Sequence, residues 1–94
     1  MQVRIHVPGP LRPYADGRRT VDLALSGATV RELLDELEGV YPGMHRRVVD
    51  ELGSLRRHVN IYVNGENIRH LDGQSTHLDD GDEVWVLPSI SGGG

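Results

Sequence analysis

Thr29-Val30-Arg31-Glu32-Leu33-Leu34-Asp35-Glu36-Leu37-Glu38-Gly39 is the longest stretch of this sequence whose apolar residues recur at helical spacing. Val30, Leu33, Leu34 and Leu37 fall at i, i+3, i+4 and i+7, which makes one apolar stripe, and Arg31, Glu32, Asp35, Glu36 and Glu38 are left for water. Thr29 and Glu32 have the spacing of a capping box, in which a threonine oxygen and a glutamate carboxylate satisfy orphan N–H groups at a helix start. Gly39 and Pro42 end the helix. Burying the stripe is worth about 1.5–3 kcal/mol per large side chain, and the segments on either side supply the strands to bury it.

On the N-terminal side, Val3, Ile5 and Val7 alternate with Gln2, Arg4 and His6, the period of a half-buried strand, until Pro8-Gly9-Pro10 halts the ladder. Residues 20–26 repeat the pattern with Val21, Leu23 and Leu25, and Pro13-Tyr14-Ala15-Asp16-Gly17 supplies turn chemistry for a hairpin with a long loop. On the C-terminal side, Met44, Val48, Val49 and Leu52 predict a second helical turn or two that covers an open edge of the core. Residues 58–64 then form a strand with Val59, Ile61 and Val63 on one side, and the Asn64-Gly65 turn leads into a short strand at 67–69. Asp80-Gly81 turns the chain into a last strand at 83–87, closed by Pro88. The expected fold is α+β, four or five strands wrapped on one main helix in the order β-β-α-β-β-β, as one domain over residues 1–88 followed by a flexible glycine tail over 89–94.

Composition narrows the chemistry. A chain of 94 residues that is 37% hydrophobic has room for a single core. It has no cysteine, so disulfides, thiolate metal sites and thiol nucleophiles are excluded and any sulfur chemistry must use another atom. No unbroken apolar run opens the chain or nears the ~20 residues of a membrane span, and a soluble, cytoplasmic protein is expected. A net charge of −4 argues against nucleic acid as the partner. All ten basic residues are arginine, so no side chain can carry an isopeptide-linked copy of the protein.

His6, His45, His58, His70 and His77 lack the paired spacing of a metal site and are expected to be solvated or structural. Asp79, Asp80, Asp82 and Glu83 crowd Gly81 without the ligand order of a calcium loop, and an exposed acidic turn is expected. No phosphate-binding glycine motif follows a strand, so ATP, if used, belongs to a partner. The pairs Arg18-Arg19, Arg46-Arg47 and Arg56-Arg57 sit in or beside predicted loops, either as solvated surface or as a contact for an acidic partner or anionic metabolite. Strand alternation turns Val84 and Val86 inward and leaves Trp85 and Leu87, with Tyr62 on the neighbouring strand, on the other face of the sheet. An aromatic that no second layer covers either anchors a partner or lies across the sheet against its neighbours. Tyr62, Trp85, Leu87 and Pro88 are therefore the candidate partner-binding residues.

The six residues after Pro88 can reach roughly 20 Å when extended. Glycines accept any backbone dihedral and carry no side chain, so Ile90, Gly92 and Gly93 would thread a narrow channel and deliver the α-carboxylate of Gly94 into another protein's active site. A carboxylate is a poor electrophile until activated, so such a device calls for a partner that spends ATP to form an acyl-adenylate.

The pattern Leu78-x-Asp80-Gly81-Asp82-x-Val84-x-x-x-Pro88-x-x-x-Gly92-Gly93 resembles the C-terminal signature of the ubiquitin-like ThiS/MoaD sulfur carriers, a β-grasp family with the element order derived above. The Leu11-Arg12-Pro13 loop, residues 59–64 and the Leu87-Pro88 exit are most similar to its CysO-type branch, from actinobacterial cysteine biosynthesis. The resemblance implies a co-substrate that is not itself an enzyme. An E1-like activating enzyme of the MoeB/ThiF type, using ATP and magnesium, adenylates the terminal glycine, and sulfur replaces AMP to leave a thiocarboxylate. A cysteine synthase dependent on pyridoxal phosphate then accepts the sulfur, and a zinc metalloprotease releases the product. Family members commonly end on Gly-Gly, which aligns with Gly92-Gly93 and leaves Gly94 over. Gly94 is the expected site of activation, or Gly93 if Gly94 is first trimmed. The alternatives are a carrier for thiamine, molybdopterin or specialised sulfur metabolites, a ubiquitin-like protein modifier, and a plain interaction module.

Overall fold

The computed structural model describes residues 1–88. In chain order the elements are β1 (Gln2–His6), β2 (Thr20–Ala24), α1 (Val30–Val40), α2 (Pro42–Val48), β3 (Val59–Val63), β4 (Glu66–Asn67) and β5 (Glu83–Pro88). The strands form one mixed sheet in the order β2-β1-β5-β3-β4. β5 runs parallel to β1 and antiparallel to β3, and β2 and β4 close the two edges by antiparallel pairing. The last strand thus lies at the centre of the sheet. This is the β-grasp arrangement expected from the sequence.

One face of the sheet is buried against α1. Ile5, Ile61, Val84 and Val86 from the three central strands meet Val30, Leu33, Leu34 and Leu37 of the helix stripe in a single core. The helix start is built as its sequence suggests, with one difference. The Glu32 N–H donates to Thr29 Oγ1 at 3.3 Å, and Glu32 Oε1 accepts from the Thr29 hydroxyl at 3.2 Å and from the Ala28 N–H at 3.4 Å. The carboxylate therefore folds back one residue beyond the cap. It can do so because residue 27 is glycine, whose Cβ would stand 0.9 Å from Glu32 Oε2.

Three expectations are corrected. The loop between β1 and β2 contains a 3₁₀ helix, Gly9–Tyr14, which buries Leu11; its prolines and three-residue repeat hide it from a search for α-helical periodicity. The second helix stops at Val48, and Leu52 is 89% exposed. Asp50 Oδ1 accepts from the N–H groups of Leu52 and Ser54, at 2.9 and 3.0 Å, and turns the chain away before Leu52 can reach the core. The edge strand β4 precedes the expected span of 67–69. Asn67 Oδ1 accepts from the Arg69 N–H at 2.9 Å and starts a 3₁₀ turn, Ile68–His70, that buries Ile68. Arg46 and Arg47, expected in or beside a loop, lie in the last turn of α2.

Asn64-Gly65 turns as expected, with φ of 48° and 93°, the left-handed pair of a tight hairpin. The Asn64 side chain also reaches sideways. Its Nδ2 donates to Asp82 Oδ1 at 2.8 Å and its Oδ1 accepts from the Glu83 N–H at 3.0 Å, tying the β3–β4 turn to the start of β5.

Leu37, the last residue of the helix stripe, is fully buried. Leu37→Ala is expected to cost about 2–5 kcal/mol, the transfer energy plus an unfilled cavity, read as a lowered midpoint of urea unfolding at unchanged slope.

Candidate functional site

The open face of the sheet carries the residues that alternation turns away from α1. Trp85 and Leu87 are 41% and 42% exposed. Trp85 pairs in register with His6 on the β1 side and with Tyr62 on the β3 side, so the three form one row across the three central strands. The His6 imidazole stacks on the indole with ring centroids 3.7 Å apart and planes 3° from parallel. His6 Nε2 in turn is hydrogen-bonded to Glu83 Oε1, two residues before Trp85 on the same strand. Trp85 thus lies against a neighbour across the sheet, as one of its two expected readings has it, and remains 41% exposed.

His6 and Glu83 belong to this site and sequence reasoning missed them. The alternation of β1 puts His6 on the open face, but only the parallel pairing of β1 with β5 brings it beside Trp85. Nothing in the local spacing of either segment announces that pairing.

One register step along, Arg4 Nε donates to Asp22 Oδ1 at 2.9 Å on the same open face. The hydrogen bond and charge of Arg4 hold the Asp22 carboxyl below the ordinary carboxylate range, and Asp22 holds the guanidinium above its usual value. The acidic turn beyond this pair is structural. Asp80 Oδ1 accepts from the Gln2 N–H at 2.7 Å and Asp82 Oδ2 from the Asp79 N–H at 2.8 Å, so two of its carboxylates hold the backbone that feeds β5.

At the opposite end of β5, Pro88 pairs with Val59 as the last described step of the ladder. Two grooves flank this exit. One, of about 300 Å³, lies on the open face between Trp85, Leu87, Pro8, Arg12 and Arg19. The other, of about 590 Å³, is bounded by Pro88, Leu11 and Tyr14 with the side chains of Arg46, Arg47 and Arg56. Tyr62, Trp85, Leu87 and Pro88 are thus brought to one face and one exit. Ile90, Gly92, Gly93 and Gly94 lie outside the described residues.

A mixed five-stranded sheet that grasps one helix, with its C-terminal strand at the centre and an aromatic open face, defines a ubiquitin-like β-grasp protein. The ThiS family model matches residues 5–93, and the chain belongs to the ThiS family. It is 40% identical to the sulfur carrier protein CysO of Mycobacterium tuberculosis, over 99% of this chain and 100% of that one. It is 46% identical over 66 residues to small archaeal modifier protein 3 of Haloferax volcanii, covering 70% of this chain and 71% of the relative. Among solved structures, a crystal structure of the BexX/CysO complex of Amycolatopsis orientalis superposes with a TM-score of 0.84 at 36% identity, covering 96% of this chain and 98% of the other.

The depressed Asp22 carboxyl fixes the sign of a pH effect. Any stability it contributes is present above the unfolded carboxyl's titration and is lost as pH falls through the folded value. Carboxyl NMR should show Asp22 titrating below the ordinary aspartate range, and Arg4→Gln should return it there.

Proposed function

We propose that this protein is a sulfur carrier that works as a substrate of other enzymes. Its reactive group in this reading is the α-carboxylate of Gly94, or of Gly93 if the last residue is trimmed. The single observation that carries the proposal is end-to-end similarity to CysO joined to a family match that runs through the glycine pair to residue 93. The central position of β5 supports it, because a strand paired on both sides fixes the point, at Pro88, from which the chain leaves the sheet.

The chemistry would proceed in two displacements. A carboxylate oxygen attacks the α-phosphorus of ATP, held with magnesium by an E1-like enzyme of the MoeB/ThiF type, and pyrophosphate leaves. A sulfur nucleophile then attacks the acyl carbon, and AMP leaves with the electron pair of the broken C–O bond. The product is a thiocarboxylate, which stores sulfur without a cysteine in the carrier. By similarity to CysO, the acceptor would be a cysteine synthase that uses pyridoxal phosphate, with a zinc metalloprotease freeing cysteine from the carrier end. All of these cofactors belong to the partners, and the cytoplasm is the compartment this route would occupy. Among the described residues no helix is long and apolar enough to cross a membrane.

The open-face row of Tyr62, Trp85 and Leu87 would dock the carrier, with Pro88 setting where the tail enters. A second reading, a protein modifier, is favoured by the 46% identity to small archaeal modifier protein 3. It uses the same activated carboxylate and differs in the nucleophile, a lysine amine in place of sulfur.

Incubation with a cognate activating enzyme, ATP and a sulfide source should add the mass difference of one oxygen exchanged for sulfur, localised by mass spectrometry to the C-terminal peptide. An ATP-dependent ladder of protein conjugates without that mass gain would establish the modifier instead. Trp85→Ala should lower the unfolding midpoint through the lost His6 stack yet leave the protein folded, while raising the carrier's KM for activation by an amount equivalent to about 2 kcal/mol or more, as removal of a central aromatic anchor does.

A further inference from the structure

The three arginine pairs are far apart in the sequence and meet at one end of the molecule. Arg18-Arg19 precede Thr20, which pairs with His6 at the end of β1. β1 is parallel to β5, so this is the end from which β5 leaves. Arg56-Arg57 lie just before Val59, which pairs with Pro88. Arg46 and Arg47 come from α2 and line the groove that Pro88 bounds. The acidic turn, with Asp79, Asp80 and Asp82, sits at the far end of the same strand. A protein of net charge −4 has therefore brought its three arginine pairs toward the exit of its last strand, while Arg4 stays at the acidic end.

The arginines of the groove are not spent on internal ion pairs. The carboxylates of the described residues pair with Arg4, His6, His45 and His77, and none lies within 4.0 Å of the guanidinium of Arg46, Arg47 or Arg56. Asp35, Glu38, Asp50 and Glu51 line a neighbouring groove that Arg46 and Arg56 also border, beyond that distance. Two of the three are nevertheless held in place. Arg56 Nε donates to Arg46 O at 2.8 Å, Arg47 Nη1 donates to Gly43 O at 3.1 Å, and the Arg47 guanidinium lies 3.5 Å over the Tyr14 ring. Side chains ordered before binding lose less entropy when a partner arrives, and clustered charge at a rim speeds and orients encounter.

We infer that Arg46, Arg47 and Arg56 form a cationic collar around the tail exit that docks an acidic rim on the protein whose channel receives the tail. The inference rests on the carrier reading and adds to it the charge of the partner surface. The open-face row supplies the apolar anchor, and the collar supplies orientation, so that the exit of β5 rather than its acidic start faces the channel.

The test is activation kinetics, read as ATP–pyrophosphate exchange with the activating enzyme that loads the carrier. Arg46 is the residue to change, because among the described residues Arg47 and Arg56 use their side chains in internal hydrogen bonds and a ring contact while Arg46 offers only its backbone oxygen. Arg46→Glu should raise the KM for carrier about tenfold with kcat unchanged, Arg46→Gln should fall between, and Arg46→Lys should stay near wild type. Wild-type KM should climb between about 50 mM and 500 mM salt, and Arg46→Glu should flatten that slope. Equal KM values and equal salt slopes for wild type and Arg46→Glu, with thermal melting showing both folded, would overturn the collar while leaving the carrier reading intact. A fall in kcat at saturating carrier, or a changed KM for ATP, would overturn it by putting an anionic reactant in the groove. Failure of wild type to be activated by an enzyme active on another carrier would remove the carrier reading and the collar with it.

Discussion

The parallel pairing of β1 with β5 is the constraint on which the rest of the structure depends. Parallel neighbours cannot be joined by a tight turn, and here residues 7–82 are in effect the crossover between them. Both helices, strands β2, β3 and β4 and the loops between them lie inside that connection. Three contacts fix its register: the Gln2 N–H to Asp80 Oδ1 and the Gly81 N–H to Gln2 O, each 2.7 Å, and the Arg4 N–H to Asp82 O at 3.0 Å. The acidic turn is therefore the clamp that closes the fold. With β3 on its other side, β5 is hydrogen-bonded along both edges, and the direction in which the chain leaves at Pro88 is set by the stiffest part of the sheet.

Local order was legible in the sequence wherever a single segment carries its own periodicity or turn chemistry. The α1 stripe, the Thr29 cap, the alternation of β1, β2, β3 and β5 and the Asn64-Gly65 turn all belong to that class. Two of the misses share a cause: a side chain overrides the pattern by bonding the nearby backbone. Asp50 ends the second helical pattern before Leu52, and Asn67 converts an expected strand into a 3₁₀ turn. Apolar spacing does not encode such competition.

The candidate site divides along the same line. Trp85, Leu87 and Tyr62 were assigned to the open face correctly because alternation is a local rule. The His6–Trp85 stack was not legible, since the two residues stand 79 positions apart in sequence and become neighbours through a parallel ladder. The arginine pairs read as unrelated surface charge for the same reason. Only the topology shows that two of the segments bearing them run into strand termini nearest the exit and that the third, in α2, lines the groove beside it. Charge patterning of this kind is a property of strand order, so it appears when the sheet is known and not before.

A β-grasp domain that serves both sulfur transfer and protein modification needs no change in its fold to do so. In either reading the domain fixes an exit, anchors a partner through an exposed aromatic row and presents one carboxylate, and the incoming nucleophile decides the product. The nucleophile is chosen by the partner enzyme, which is consistent with the similarity of this one chain to both named carriers and named modifiers. What the chain itself contributes to the choice is subtractive. It has no cysteine to compete for an activated acyl group and no lysine to accept one. On the carrier reading proposed above, an activated tail would meet no thiol and no side-chain amine on another copy, and on the modifier reading the chain could label other proteins without building lysine-linked chains of itself.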